Sequence, residues 1–270
     1  LARLQDHGVT ELVLDVNTLL SGIDSTIFTE SCAEYNDLAT ILRRPGFRRL
    51  DLALLTGRQP YEGDWSAFRS GHLRLALAQA TDLEHISLRT DQTDRWPDPS
   101  VDPDRHFVPL GTVFPVDMWP RLRHFGLSRF MVRQDDLLSL LAALPATVRS
   151  VELSCPIFAR GNYRDALSDM RDTLEWRGRR PSERPKLIMA TPNGYVSEQT
   201  IWVDKEVNDF VYGDGPNPFL PNAFGYVRRG IGVIRDAFNP FHERPNLHLR
   251  GLADAGYIKH AYNFDGQKIY

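Results

Sequence analysis

"LRHFGLSRFMVRQDDLLSLLAALPATVRSVELS", residues 122–154, opens and closes on the same short phrase: Leu122, Phe125 and Leu127 return as Val148, Val151 and Leu153. In an extended segment alternate side chains point to opposite faces. The residues two apart, Phe125 with Leu127 and Val151 with Leu153, therefore enter a core, and the earlier apolar residue packs the turn that leads in. Between the two phrases the period becomes helical. Leu137, Leu138, Leu140, Leu141 and Leu144 form a broad apolar stripe. Gln134, Asp135 and Asp136 stand at the helix start, where carboxylates oppose the positive end of the dipole, and Pro145 stops it. The stretch reads as strand, loop, helix, strand.

The same phrase, apolar-x-x-apolar-x-apolar, recurs along the chain. It appears as "VTELVL" from Val9, "FRRLDL" from Phe47, "LEHISL" from Leu83, "LRHFGL" from Leu122 and "VRSVEL" from Val148. The starts are 38, 36, 39 and 26 residues apart, so the units are unequal and carry insertions. A weaker sixth strand is expected at "KLIMA". Helical stretches lie between: "ESCAEYNDLATILRRPGF", ended by Pro45-Gly46, and the looser "SAFRSGHLRLALAQATDL". A unit of this kind cannot bury its apolar face alone but can by stacking on neighbours. The expectation is an α/β leucine-rich-repeat-like solenoid of strand-loop-helix units. Its competitor is an α/β domain in which leucine-rich strands recur by chance.

Residues 89–120, dense in proline and aspartate, read as a long surface insertion, its second half tacked to the body by Phe107, Val108, Leu110, Val113 and Phe114. A further helix is expected from Asn162, with Tyr163, Ala166, Leu167, Met170, Leu174 and Trp176 as its apolar set. "TIWVDKEVNDFVYGDG" follows as a strand with Ile201 and Val203, then a helix stopped at Gly213. The solenoid is expected to span 1–215. Residues 216–270, rich in Pro, Gly, Asn and aromatic side chains, are expected to form an irregular C-terminal cap of the same domain.

Composition narrows the function. The 270 residues are 42% hydrophobic and 25% charged, with a formal charge of −3, so no global basic field exists for nucleic acid or an anionic bilayer. Arginines cluster locally at 43, 44, 48 and 49 and at 177, 179 and 180, which is ordinary for a solvated face. Two cysteines, Cys32 and Cys155, cannot build a disulfide framework. No apolar run reaches the roughly 20 residues that span a bilayer. An intracellular protein, cytoplasmic or nuclear, is expected.

No nucleophile elbow, zincin motif, P-loop or dinucleotide fingerprint is present; "RRGIGVIRD" offers only Gly230-x-Gly232. "GDGPNP" lacks the ligand alternation of a calcium loop and reads as a turn at Asp214, with Gly213 and Gly215 supplying positive φ. The eight histidines form no i, i+4 metal-gripping pair. The expectation is a protein without catalysis, metal or cofactor. His85 and His124 differ from the other histidines because they occupy equivalent outward positions on two strands. With parallel stacking, Arg48, Arg49, Asp51, Glu84, His85, Ser87, Arg123, His124, Arg149 and Glu152 form a charged array on a concave face, where a solenoid binds a partner. The alternative is that they are solvated strand residues. Mixed signs suit a protein partner better than a polyanion. A hydrolase built from Asp102, His106, Asp214 and His242, contributed by the insertion and the C-terminal loops, is the rival.

Five segments in this order, "LRHFGLSRFMVRQDDLLSLLAALPATVRSVELS", "NYRDALSDMRDTLEWR", "SERPKL", "WVDKEVNDFVYGDGPNPF" and "GVIRDAFNPFHERPN", resemble the C-terminal part of the F-box-like leucine-rich-repeat proteins of filamentous fungi, over about Trp119 to Asn246. The resemblance implies a substrate-recognition region of a receptor for a cullin-type ubiquitin ligase, holding a protein target. Adaptor binding in that family belongs to an N-terminal F-box. None is recognisable before Val9, so no residue here is assigned to it. A structural or host-interaction solenoid without a ligase role is the remaining reading.

Overall fold

A computed structural model describes residues 8–14, 22–56, 65–91, 107–192 and 200–219. Its strands are β1 (Glu11–Val13), β2 (Ile23–Asp24), β3 (Arg49–Leu55), β4 (His85–Thr90), β5 (His124–Ser128), β6 (Met131–Arg133), β7 (Ser150–Ser154), β8 (Ile157–Arg160), β9 (Lys186–Pro192) and β10 (Thr200–Trp202). Its α-helices are α1 (Ala33–Leu42), α2 (Ser66–Arg69), α3 (His72–Leu77), α4 (Gln134–Ala142), α5 (Tyr163–Thr173) and α6 (Asp204–Tyr212). Eight strands make one sheet in the order β1-β3-β4-β5-β7-β9-β10, with β2 also on β3. All pairs are parallel except β9 with β10.

Apolar alternation sets the register. Leu50, Ile86, Phe125, Val151 and Leu187 are aligned across β3, β4, β5, β7 and β9. Two residues on, Leu52, Leu88, Leu127, Leu153 and Met189 form a second row. Both rows are buried. They join the inner faces of the helices, among them Leu38 and Leu42 of α1, Leu73 and Leu77 of α3, Leu137 and Leu141 of α4, and Leu167 of α5, in a single core. The alternate residues Arg49, Asp51, His85, Ser87, His124 and Glu152 stay outside it.

The solenoid expectation is corrected. The recurring strands form one central, mostly parallel α/β sheet, and the segments between them are not copies of one unit. A full helix precedes β3, but Gly71 at φ 83 breaks the next into the short α2 and α3. Before β5 the described residues hold two 3-10 turns, Leu110–Thr112 and Val116–Met118, in place of an α-helix. β6 and β8 leave the main sheet to pair with each other, and antiparallel β10 reverses the direction at one side. Sequence spacing registers the strands but says nothing about whether the intervening segments stack as equals.

Within the expected insertion, Phe107, Val108, Leu110, Val113 and Phe114 are buried. Asp136 of α4 accepts the Leu110 amide at 2.8 Å, and Arg133 lies 4.0 Å above the Phe107 ring. Residues 92–106 and 220–270, with most of the insertion's first half and of the expected cap, lie outside the described residues.

The step into β6 and β8 is built twice in the same way. Ser128 and Ser154 are register partners, and the next residues, Arg129 and Cys155, have φ of 58° and 52°. This left-handed backbone turns each chain away from the main sheet, at roughly 1–2 kcal/mol for a non-glycine residue. Amide bonds offset that cost: Arg129 donates to Ser154 O at 2.9 Å and Cys155 to Ala190 O at 2.8 Å. Gly161, at φ 93, has no room for a side chain, because an added Cβ would collide with Gln134. Gly46, at φ 78, has open space around its Cβ position. Gly46→Ala is therefore expected to cost about 1 kcal/mol from backbone strain alone, and Gly161→Ala clearly more. Parallel urea unfolding checks this; equal losses would show that the contact with Gln134 yields freely.

Candidate functional site

In-register pairing assembles a polar face from outward residues of successive strands. One row runs Glu11, Arg49, His85, His124, Ser150 and Lys186; the next runs Val13, Asp51, Ser87, Gly126, Glu152 and Ile188. Asp51 is the hub. Its Oδ2 accepts from Arg49 Nε at 2.9 Å and Nη2 at 2.6 Å. Its Oδ1 meets His85 Nε2 at 2.6 Å, the ring nitrogen donating because a carboxylate only accepts. Burial by itself would raise the Asp51 carboxyl; the bonds and positive charges of His85 and Arg49 outweigh it and hold the group below its usual range.

The His85 and His124 rings stack at 4.1 Å with 9° between their planes. His124 is only 16% exposed, and its Nε2 lies 4.0 Å from Glu152. Burial first, then the positive charges of His85 and Arg49, push it down to about 4, with Asp51 pulling the other way. His124 is therefore a neutral ring at pH 7. Gly126 makes room for this packing: a Cβ there would stand 2.7 Å from Ser87 Oγ and 3.2 Å from His124 Nε2. The arrangement offers two ordered imidazole groups, a carboxylate already holding two donors, and flanking hydroxyls: a fixed hydrogen-bonding surface.

Arg48, Glu84, Arg123 and Arg149 occupy a different place. Each stands one residue before a strand, at a bend where two successive amides share one carbonyl. Glu84 and His85 donate to Arg48 O (2.8 and 2.9 Å), Arg123 and His124 to Glu84 O (2.7 and 3.0 Å), and Arg149 and Ser150 to Arg123 O (2.8 and 3.0 Å). The bend puts these four on the rim where the chain enters the sheet. Arg123 faces Glu84 at 3.7 Å; Arg149 is held by the carbonyls of Ala146 and Val148 at 2.6 and 2.9 Å. The ten expected residues thus divide into a face of six and a rim of four. Sequence reading missed Gly126, Ser150 and Lys186. The last two are legible once His85 and His124 are aligned, since each is the first residue of its own strand.

Of the rival hydrolase residues, Asp102, His106 and His242 lie outside the described residues. Asp214 is 98% exposed and 3.4 Å from Arg177. The positive φ expected at its flanking glycines is corrected: Gly213 is extended, at φ −117, and Gly215 is not among the positive-φ glycines. Both amides donate to Asp209 O at 3.1 Å. Each glycine is needed for closeness, since a Cβ would come 2.8 Å from that carbonyl oxygen at Gly213 and 3.0 Å from the carbonyl carbon at Gly215. Among the described residues no group of three or more His, Cys, Asp and Glu side chains could hold a metal, and no helix is long and apolar enough to cross a membrane.

Comparison with protein-family models, with curated proteins and with solved structures finds no match. The site is therefore read from its own chemistry.

Because the folded-state value of His124 lies below the ordinary histidine value of 6.5, protonation favours the unfolded chain. Its contribution to stability is complete above about pH 6.5 and is lost as the pH falls through about 4, on the order of 3 kcal/mol in all. His124→Phe keeps a ring for the stack and removes the titration. It is expected to flatten the acid limb of a pH-stability curve measured by urea unfolding; an unchanged acid limb would place the loss elsewhere.

Proposed function

We propose that the chain is a protein-binding module that holds its partner on the polar face of the central sheet. The observation that carries this reading is the one-sided covering of a parallel sheet. Such sheets are ordinarily buried on both faces, whereas here the helices share one core with the inward rows, and the described elements leave the rows containing His85, His124 and Asp51 outside it. These side chains are ordered before any partner arrives, by the Asp51 bonds and the histidine stack, which lowers the entropy cost of association. Mixed charge at close spacing favours a protein partner of defined pattern over a uniform polyanion.

In its more specific form the module is the target-recognition region of an F-box-type ubiquitin-ligase receptor. That form is supported by the order of the five sequence segments between Trp119 and Asn246, and contact with the ligase adaptor would fall to a segment other than those quoted.

The test is affinity purification with the wild-type chain and with Ser150→Arg/Lys186→Glu, which changes two outward positions and leaves Asp51 and both histidines in place. The expected outcome is an unchanged melting temperature and loss of the proteins that the wild type retains. Retention of the same proteins by the double variant would remove the sheet face as the binding surface. Co-purification of a cullin and its adaptor with the protein as its own cells produce it supports the ligase form, and their absence leaves a binding module of another kind.

A further inference from the structure

The five central parallel strands all begin at the same end of the molecule, so the five loops that lead into them share one rim. The loop before β3 carries Arg43, Arg44 and Arg48; that before β4 carries Asp82 and Glu84; that before β5 carries Arg121 and Arg123. Arg149 precedes β7, and Arg177, Arg179, Arg180 and Arg184, with Glu175 and Glu183, precede β9. Ten arginines meet five carboxylates when Asp214, 3.4 Å from Arg177, is counted, in a chain whose formal charge is −3.

The loops touch in sequence, so the rim is one continuous surface. Arg43 Nε donates to Gln79 at 3.1 Å and Arg121 Nη1 to Asp82 at 2.9 Å. Thr147 Oγ1 reaches Leu122 O at 2.7 Å, and the Lys186 amide donates to Arg149 O at 2.8 Å. Helix C-termini account for Arg43 and Arg44, but Arg48, Arg121, Arg123, Arg149 and Arg184 lie at strand entrances, where no helix dipole calls for them. Arg149 and Arg184 are fixed by main-chain carbonyls, contacts that orient a guanidinium and leave its charge in place. Arg121, Arg123 and Arg180 are 68%, 72% and 84% exposed.

We propose that this rim docks an acidic polypeptide segment. Five loops at strand spacing span roughly 19 Å, which about six residues of extended chain would match. Asp82 and Glu84 lie on the second of the five loops, between the arginines that precede β3 and those that precede β5. A phosphate backbone, charged at every step, would meet them with repulsion, whereas a peptide can place neutral residues there and carboxylates against the arginines on either side. Guanidinium groups engage carboxylates bidentately. The rim is separate from the sheet face and does not depend on the function proposed for that face.

Fluorescence anisotropy tests it, with a labelled extended peptide of roughly eight alternating Asp and Gly residues, the equivalent Lys/Gly peptide, and a single-stranded RNA of equal formal charge. The acidic peptide is expected to bind the wild type at low salt, to weaken as salt rises, and to lose about tenfold in affinity with Arg123→Ser/Arg149→Ser/Arg180→Ser. If the triple variant unfolds, Arg180→Ser alone, at the most exposed of the three, gives the reading with a smaller loss. Absence of acidic-peptide binding at low salt, or equal binding by the arginine variants, overturns the proposal. Displacement of the peptide by RNA at a lower concentration overturns it in favour of nucleic acid.

Discussion

The shared register of β3, β4, β5, β7 and β9 is the constraint on which the rest of the molecule depends. Because side chains alternate with a period of two, sliding any one of these strands by a residue would move Leu50, Ile86, Phe125, Val151 or Leu187 toward solvent and bring residues of the outward rows, such as Arg49, His85, His124, Ser150 or Lys186, toward the core. The register is fixed by apolar burial, yet its consequences are largely polar. Aligning Ile86 with Phe125 brings His85 opposite His124, and aligning Leu50 with Ile86 places Asp51 within reach of the His85 ring. The rim bends repeat at the same spacing for the same reason.

At the centre of the sheet face the charges of Arg49, Asp51 and His85 are arranged to compensate one another. Burial alone would raise the Asp51 carboxyl; two donor groups, one of them a guanidinium that donates twice to Oδ2, reverse that. Two stacked imidazolium rings at 4.1 Å would repel each other strongly. The burial of His124 resolves the conflict by keeping that ring neutral. Gly126 is the steric counterpart of this electrostatic solution, since any side chain there would push the His124 ring and Ser87 apart.

Much of this could be read in the amino-acid sequence, and the divisions are physical. The apolar-x-apolar pairs located the strands, the stripe from Leu137 to Leu144 located α4, and the equivalence of His85 and His124 followed from the pattern itself. The relation of one unit to the next did not follow. Whether a helix, a pair of short helices or two 3-10 turns fills the space between strands depends on Gly71, on the prolines around Val116 and on contacts such as Asp136 with Leu110, which are distant in sequence. The rim differs for a local reason: simple alternation would give Arg48, Glu84, Arg123 and Arg149 the inward parity of Leu50, Ile86, Phe125 and Val151, but two amides sharing one carbonyl bend the chain just before each strand and turn these four onto the rim. The glycines at 213 and 215 were read as conformational residues, but what demands them is the nearness of Asp209 O.

The two surfaces differ in what they can contribute to recognition. Around Asp51 on the sheet face opposite charges are already joined, so a partner there gains little from long-range attraction and must match an existing pattern of donors, acceptors and rings. On the rim the positive charge exceeds the carboxylates available, and the side chains are exposed, so its influence extends over about a Debye length, roughly 8 Å at physiological salt. Excess charge of this kind accelerates encounter and orients an approaching molecule, while short-range complementarity decides whether it stays. The N-terminal ends of the strands carry the first property and their outward side chains the second. Both arise from the one register, so a partner long enough to cross from rim to face would meet attraction and selection in that order.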